Sequence, residues 1–112
     1  MLDLVNLFVY TIKSWISSSI RKKDASNLVK HGIRLARASE FSPVTILEDA
    51  RKNYGETRYR AFGFIGTTAH ALAFTVVEDR KSGRKKVRAI SLRPATEQEI
   101  KNYDLSKKNR RR

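Results

Sequence analysis

The chain of 112 residues contains no cysteine, two histidines and two prolines. The absence of cysteine excludes a disulfide framework, thiol catalysis and zinc sites built on thiolates. The histidines, His31 and His70, lie far apart in the sequence, and neither belongs to a metal-binding spacing such as H-E-x-x-H. We therefore predict that the protein has no dedicated metal site and uses no cofactor.

Acidic residues are also scarce, since 24 lysines and arginines stand against 11 aspartates and glutamates, which gives a formal net charge of +13. The basic tail accounts for only part of this excess, because residues 21–104 alone hold 18 basic and 10 acidic residues. No acidic residue lies between Arg80 and Glu97. A folded body this basic predicts a partner of opposite charge: a nucleic acid, an anionic membrane surface or an acidic protein.

Residues 2–20 form a distinct apolar segment whose pattern predicts an amphipathic helix. Its hydrophobic residues recur at helical spacing: Val5, Phe8, Val9, Ile12, Trp15, Ile16 and Ile20. The uninterrupted apolar run is far shorter than the roughly 20 residues of a membrane span, so we predict no stable membrane insertion. Packing on the domain core or on a partner is the favoured role, with a membrane-surface anchor or a signal peptide as alternatives.

Two more helical segments are predicted before the first strand. A helix at residues 21–30 ends at Gly32, a residue type that often terminates helices in the left-handed conformation. Three apolar residues of this helix are expected to face the core: Ala25, Leu28 and Val29. A short helical stretch at 34–39 follows, and Ser42-Pro43 breaks it.

The second half of the chain predicts a sheet. Four strands are expected, at residues 44–47, 59–65, 69–77 and 86–93, and hairpin turns connect the last three. The third strand has small residues on one side, Ala69, Ala71 and Ala73, so we expect a helix over that side. Thr96 and Glu99 form a capping box that begins a final helix, which extends to about residue 105. The fold class is therefore α+β, with an antiparallel sheet and helices at both ends of the chain.

Three sequence blocks resemble the BrnT family. The first is K-x-x-x-N-L-x-K-H-G-I at residues 23–33, and the second is E-D-x-R-x-x-Y-G-E-x-R-Y at 48–59. The third is R-x-I-S-x-R-x-A-T-x-x-E-x-x-x-Y at 88–103. Together they divide the chain into an N-terminal helix or extension at 1–20, a BrnT-like domain at 21–105 and a basic tail at 106–112, which we predict to be disordered.

The resemblance implies a RelE-like fold and the activity of an endoribonuclease toxin from a type II toxin–antitoxin module. Such a toxin cuts RNA and inhibits translation in the cytoplasm. The implied partner is a ribbon-helix-helix antitoxin, similar to BrnA, that wraps the toxin and binds operator DNA. Two departures from the family pattern stand out: residues 18–20 lack the usual aromatic-x-Trp-Asp run, and Lys52 stands where the family often has a histidine.

Metal-free RNA cleavage requires a base for the 2′-hydroxyl, cations beside the phosphorus and an acid for the leaving 5′-oxygen. Arg58, Arg88 and Arg93 are the candidate cations, because a guanidinium fork matches phosphate oxygens. Glu56 is a candidate base, and its alternative role is a structural salt bridge to Arg58 or Arg88. His31 is a candidate acid or base, and its alternative role is a helix-end cap.

Further basic and aromatic residues are candidates for binding RNA: Lys30, Arg51, Lys52, Lys85, Lys86 and Tyr59. Arg88 and Arg93 have opposite parity along their strand, so either a bulge realigns them or only one of them faces RNA. The alternative function is a non-catalytic nucleic-acid-binding or repressor-complex subunit, because the same basic sheet would serve it equally well.

Overall fold

The structure is a computed structural model that describes residues 3–53 and 55–106, so Tyr54 and most of the basic tail lie outside the described residues. Its elements in chain order are α1 (Leu4–Ser19), α2 (Arg21–His31), a 3-10 helix (Leu35–Glu40), β1 (Phe41–Asp49), β2 (Arg58–Ile65), β3 (Thr68–Glu78), β4 (Lys85–Pro94) and α3 (Glu97–Asn102). The strands form one antiparallel sheet in the order β1-β2-β3-β4. The predicted α+β class is confirmed.

One face of the sheet, which we call the helix face, carries the main hydrophobic core. Phe8, Ile12 and Trp15 of α1 are almost fully buried there. They pack on side chains of the sheet that include Ala61, Leu72, Phe74, Val87, Ala89 and Leu92. The prediction that this helix packs on the domain core is confirmed, although Val5 and Val9 are exposed. Within residues 3–53 and 55–106, no helix combines the length and the hydropathy that a membrane span requires.

The orientation predicted for α2 is wrong. All three apolar residues that were expected to face the core are exposed, Val29 to 86%, and among the side chains described in α2 the buried one is Asn27. Its Nδ2 donates to the carbonyl oxygens of Ile33 and Leu92 at 2.8 and 2.7 Å, and its Oδ1 accepts from the Leu92 N–H at 3.0 Å. Pairing with the outer edge of β4, rather than an apolar stripe, therefore decides which side of α2 faces the sheet.

Strand β1 begins at Phe41, three residues earlier than predicted, and it includes Pro43. The sheet tolerates this proline because β1 is an edge strand and its pairing with β2 is irregular between Pro43 and Thr45. Gly63 lies opposite on β2, where a Cβ atom would collide with the carbonyl oxygen of Ser42. The close approach of the two strands at this point therefore depends on glycine.

The other face of the sheet is half covered, by the C-terminal segment. Helix α3 begins at the predicted capping box of Thr96 and Glu99, but it ends at Asn102, short of the predicted end. A second apolar cluster joins this segment to the sheet: Phe62, Phe64, Ala69, Ala71, Ile100, Tyr103 and Leu105. Ala69 and Ala71 thus share a cluster with Ile100 of α3, in agreement with the helix expected over the alanine side of β3, whereas Ala71 and Ala73 also line a pocket.

Candidate functional site

A β-bulge in β4 decides which of its side chains share a face. The pairing skips Ile90, because the residues on either side of it pair with two consecutive residues of β3. In a regular strand Arg88 and Arg93 would point to opposite sides, but one extra residue brings them to the same side. Both arginines lie on the half-covered face, which answers the question that the sequence left open.

The register across the sheet places basic side chains in neighbouring rows on this face, which we call the arginine face. From β1 to β4, the first row is Asp49, Arg58, Thr75 and Arg88, the second is Leu47, Arg60, Ala73 and Ser91, and the third is Thr45, Phe62, Ala71 and Arg93. Successive rows are about 7 Å apart along the strands. The C-terminal segment covers part of the third row, where the Tyr103 ring stacks on Phe62 with centroids 4.2 Å apart.

Glu56, in the loop before β2, joins the two arginines of the first row. Its Oε2 accepts from Arg58 Nε at 3.1 Å, and its Oε1 and Oε2 lie 3.1 and 3.3 Å from Arg88 Nη2. The three side chains, which we call the Glu56 cluster, are between 29% and 37% exposed. The salt bridge predicted as the alternative role of Glu56 is present, and it involves both arginines.

Arg93 is fixed by a carboxylate of α3. Its Nη1 and Nη2 each donate to one oxygen of Glu99 at 2.8 Å, while Glu99 Oε1 also accepts from the Thr96 N–H at 2.9 Å. These bonds, above all those from Arg93, lower the pKa of Glu99 from 4.5 to about 2. Pairing with Glu99 raises the pKa of Arg93, and the nearby positive charge of Arg51 opposes that effect.

A small pocket, which we call the arginine pocket, opens beside the C-terminal segment. Its volume is about 110 Å³, and its lining includes Arg51, Arg60, Ala71, Ala73, Ser91 and Arg93. Arg51 is held there by the buried Asp49, to which its Nε and Nη2 donate at 2.8 and 2.9 Å. Among the described residues, the Nε of Arg60 and the Nε of Arg88 are buried without a hydrogen-bond partner.

Sequence reasoning did not select Arg60 and Ser91 as site residues. Arg60 follows Arg58 by two residues on one strand, so shared parity was a signal that could have found it. Ser91 could not have been found in that way, because its place beside Arg60 depends on the bulge at Ile90.

Two candidate regions lie elsewhere in the fold. Tyr59 has the opposite parity to Arg58, and its ring stacks on Phe74 of the helix face with centroids 5.3 Å apart. Lys30 and His31 form the last turn of α2. Across the described part of the chain, no hydrogen bond or ion pair connects either of them to the Glu56 cluster.

The remaining basic candidates lie at the margins of the site. Lys85 and Lys86 begin β4 at the end away from Arg93, and Lys52 is exposed in the loop between β1 and β2. His70 is buried, as a core side chain would be, and its Nδ1 lies 2.9 Å from the Thr68 carbonyl oxygen. In residues 3–53 and 55–106, no three histidine, aspartate or glutamate side chains are grouped so that they could hold a metal ion.

A comparison with protein-family models found a match to the ribonuclease toxin BrnT of type II toxin–antitoxin systems. The match covers residues 21–99, which is more than two thirds of the chain. The chain belongs to the BrnT family. A search of curated proteins found no match.

Membership of the BrnT family indicates a ribonuclease toxin of a type II system, and it implies an antitoxin as partner. The matched segment contains the whole Glu56 cluster and every residue of the arginine pocket, whereas α1 precedes it. The geometry described above therefore belongs to the BrnT part of the chain.

Proposed function

We propose that the protein is an endoribonuclease that cleaves RNA at the Glu56 cluster without a metal ion, and thereby inhibits translation. The observation that carries the proposal is the convergence of Arg58 and Arg88, from two different strands, on one partly exposed carboxylate. Guanidinium groups bind phosphate oxygens in the same forked geometry in which they bind carboxylates. Membership of a ribonuclease toxin family supplies the class of reaction.

The proposed reaction is attack of the ribose 2′-oxygen on the adjacent phosphorus. The bond from phosphorus to the 5′-oxygen breaks, and a 2′,3′-cyclic phosphate remains. We assign Glu56 to accept the 2′-hydroxyl proton, and Arg58 and Arg88 to hold the non-bridging oxygens as negative charge develops on them. The departing 5′-oxygen must gain a proton, and we favour Lys52, in the same loop as Glu56, over His31, which lies at the end of α2.

Glu56 can act as a base only after its oxygens leave the two guanidinium groups. A phosphodiester offers those groups an equivalent pair of oxygens, so its binding would exchange one anionic partner for another. We infer that RNA binding itself frees the carboxylate to accept the proton. The exposure of the cluster supports this exchange, because solvent can replace each contact while the partners change.

Other basic residues would bind the RNA strand on both sides of the reacting group. Arg93 and Arg51 extend the positive surface towards α3, and Lys86, which has the same parity as Arg88, extends it towards the β3–β4 hairpin, where Lys85 lies on the opposite side of the strand. Such contacts contribute affinity without sequence preference, and they weaken as the salt concentration rises.

We further propose that a ribbon-helix-helix antitoxin similar to BrnA neutralises this toxin in the cytoplasm and connects it to operator DNA. Family membership supports the existence of an antitoxin. The net charge of +13 supports an acidic segment in it, because a strongly basic surface attracts a partner of opposite charge. We expect that segment to cover the arginine face and so exclude RNA.

The test is cleavage of a defined single-stranded RNA by the purified protein in excess EDTA. We expect the parent to cleave it, and Arg88→Gln to lower kcat by about 10²- to 10³-fold, as removal of one preorganised donor typically does. The matched control is Arg37→Gln, which removes the same charge from an ion pair with Glu40 on the 3-10 helix. This control should cleave like the parent, and circular dichroism should show that both variants are folded.

Three outcomes would contradict parts of the proposal. Full activity of Arg88→Gln would move the reaction away from the Glu56 cluster. Cleavage that stops in EDTA and returns with Mg²⁺ would overturn metal independence. Tight RNA binding without cleavage by the parent would favour the non-catalytic nucleic-acid-binding subunit.

A further inference from the structure

We propose that the arginine pocket binds a second phosphate of the RNA strand, the one adjacent to the phosphate held by Arg58 and Arg88. This inference rests on the proposed function, because it extends the same site by one nucleotide. Its consequence is that the enzyme recognises two successive phosphates and needs a charged neighbour beside the bond that it cleaves.

The shape of the pocket follows from the small side chains of β3. Ala71 and Ala73 form the floor, whereas the flanking strands carry arginines that rise on either side of them. A cavity of about 110 Å³ has room for several water molecules, and therefore for the oxygens of one phosphate group. Its size and its cationic lining match a phosphate better than a nucleoside.

The charge of the pocket is only partly compensated. Arg51 is paired with Asp49, and Arg93 is paired with Glu99, each through two hydrogen bonds. Those carboxylates hold two guanidinium groups in place at the rim, which prepares them for an anion. Arg60 has no carboxylate partner among the described contacts, and its buried Nε has no acceptor. The positive charge of Arg60 is therefore balanced by none of the described carboxylates, and a phosphate in the pocket would supply an anionic partner for its guanidinium group.

The spacing of the two sites suits one strand of RNA. Arg58 and Arg60 are two residues apart on β2, which corresponds to about 7 Å along a strand. Successive phosphates of an extended single strand are separated by a distance of the same order. On β4 the bulge keeps Ser91 in the row of Arg60. The row of Arg58 and Arg88 is therefore followed by the row of Arg60 and Ser91 on both strands that flank the pocket.

A base is not the favoured occupant of the pocket. Phe62 is the aromatic residue that borders it, but its side chain is fully buried. Tyr103 stacks on that ring at 4.2 Å, while the Arg60 guanidinium carbon lies 5.8 Å from its centroid. No exposed ring face on Phe62 therefore remains for a nucleobase to stack upon.

The test uses a DNA oligonucleotide with a single ribonucleotide, so that only one bond can be cleaved. In two further substrates, the linkage on the 5′ or the 3′ side of the scissile phosphate is an uncharged methylphosphonate. With the parent, we expect one of these substitutions to lower kcat/KM by roughly 10- to 100-fold, as loss of a charged hydrogen-bonding partner typically does. With Arg60→Gln, the same substitution should have little further effect.

One further pocket variant and a control complete this comparison of substrates with variants. Arg93→Gln removes a second cation from the pocket and should reproduce the result of Arg60→Gln, which guards against a folding defect in either variant. Arg37→Gln, which carries the same charge change on the 3-10 helix, should retain the full methylphosphonate effect. If that effect persists undiminished in both pocket variants, or is absent from the parent with both modified substrates, the pocket does not bind a neighbouring phosphate.

Failure of the proposed function would be visible as a separate result. If the parent cleaves none of the substrates, fluorescence anisotropy at constant salt would measure the affinity of the parent and the variants for all-deoxy strands with and without the methylphosphonate. Non-additive losses of affinity at the flanking linkage and at Arg60 would support the pocket even without catalysis. Additive losses would reject the pocket, whatever the fate of the ribonuclease assignment.

Discussion

The two faces of the sheet use the alternation of side chains along β3 in opposite ways. On the helix face, the large side chains of Leu72 and Phe74 are buried under α1. The polar side chains Thr11 and Asn27 there bind backbone groups at the edge of β4. On the arginine face, small β3 side chains leave space between charged ones that pair with each other and remain partly exposed. Side chains that stabilise the fold thus lie mainly on the helix face, and side chains proposed to act on RNA lie on the arginine face. Substitutions on the two faces should therefore change the free energy of unfolding and the cleavage rate separately.

The largest expected effect is on the helix face, from Phe74→Ala. Phe74 is fully buried between Phe8 and Tyr59, and truncation of such a phenylalanine typically costs about 3–5 kcal/mol of unfolding free energy. Urea unfolding would measure this loss. The matched change on the arginine face, Arg88→Gln, should cost about 1 kcal/mol or less because its ion pair is exposed to solvent. Equal losses from the two changes would contradict the division between the faces.

Asn27→Ala should have the next largest effect, although it removes no apolar contact of the core. The change would leave the Leu92 N–H and two carbonyl oxygens without the partner that Asn27 supplies. Unpaired buried groups of this kind cost about 1–3 kcal/mol each, and we expect about 3 kcal/mol in total. The control is Val29→Ala on the exposed side of α2, which should change stability by less than about 0.5 kcal/mol. A larger loss from Val29→Ala would support the inward orientation that the sequence suggested.

Glu99 contributes both to the fold and to the arginine face, because it caps α3 and holds Arg93 in place. Its pKa of about 2 in the folded state lies below the ordinary 4.5, so folding favours the ionised form. The stabilisation is therefore complete above about pH 4.5 and is lost as the pH falls towards 2. We expect the parent to be more stable than Glu99→Gln by about 1 kcal/mol near neutral pH, since the pair is partly exposed. Urea titrations across this range should show the difference shrinking in acid, and a constant difference would exclude the carboxylate charge as its cause.

Local sequence patterns predicted most of the fold, and they failed where tertiary pairing decides. The capping box at Thr96 and Glu99 and the strand alternation depend on neighbouring residues, so they could be recognised directly. The orientation of α2 could not, because it is set by bonds from Asn27 to β4, which lies 65 residues away. The composition of the arginine face could not be predicted either, because no local sequence pattern indicates the bulge at Ile90 that brings Arg88 and Arg93 to the same face.

The smallest effect on cleavage is expected from His31→Gln. The sequence made His31 a candidate acid or base, but it lies in the last turn of α2, and α2 packs on β4 and the 3-10 helix. Among the described contacts, none links it to Glu56, Arg58 or Arg88. We therefore expect a fall in kcat well short of the roughly 10²- to 10⁴-fold that loss of a general acid or base typically causes. Single-turnover cleavage across the neutral pH range would measure it, beside Glu56→Gln, which should show the full loss. A loss of that size in His31→Gln would instead place α2 at the reacting phosphate, and the chemistry would then span both faces of the sheet.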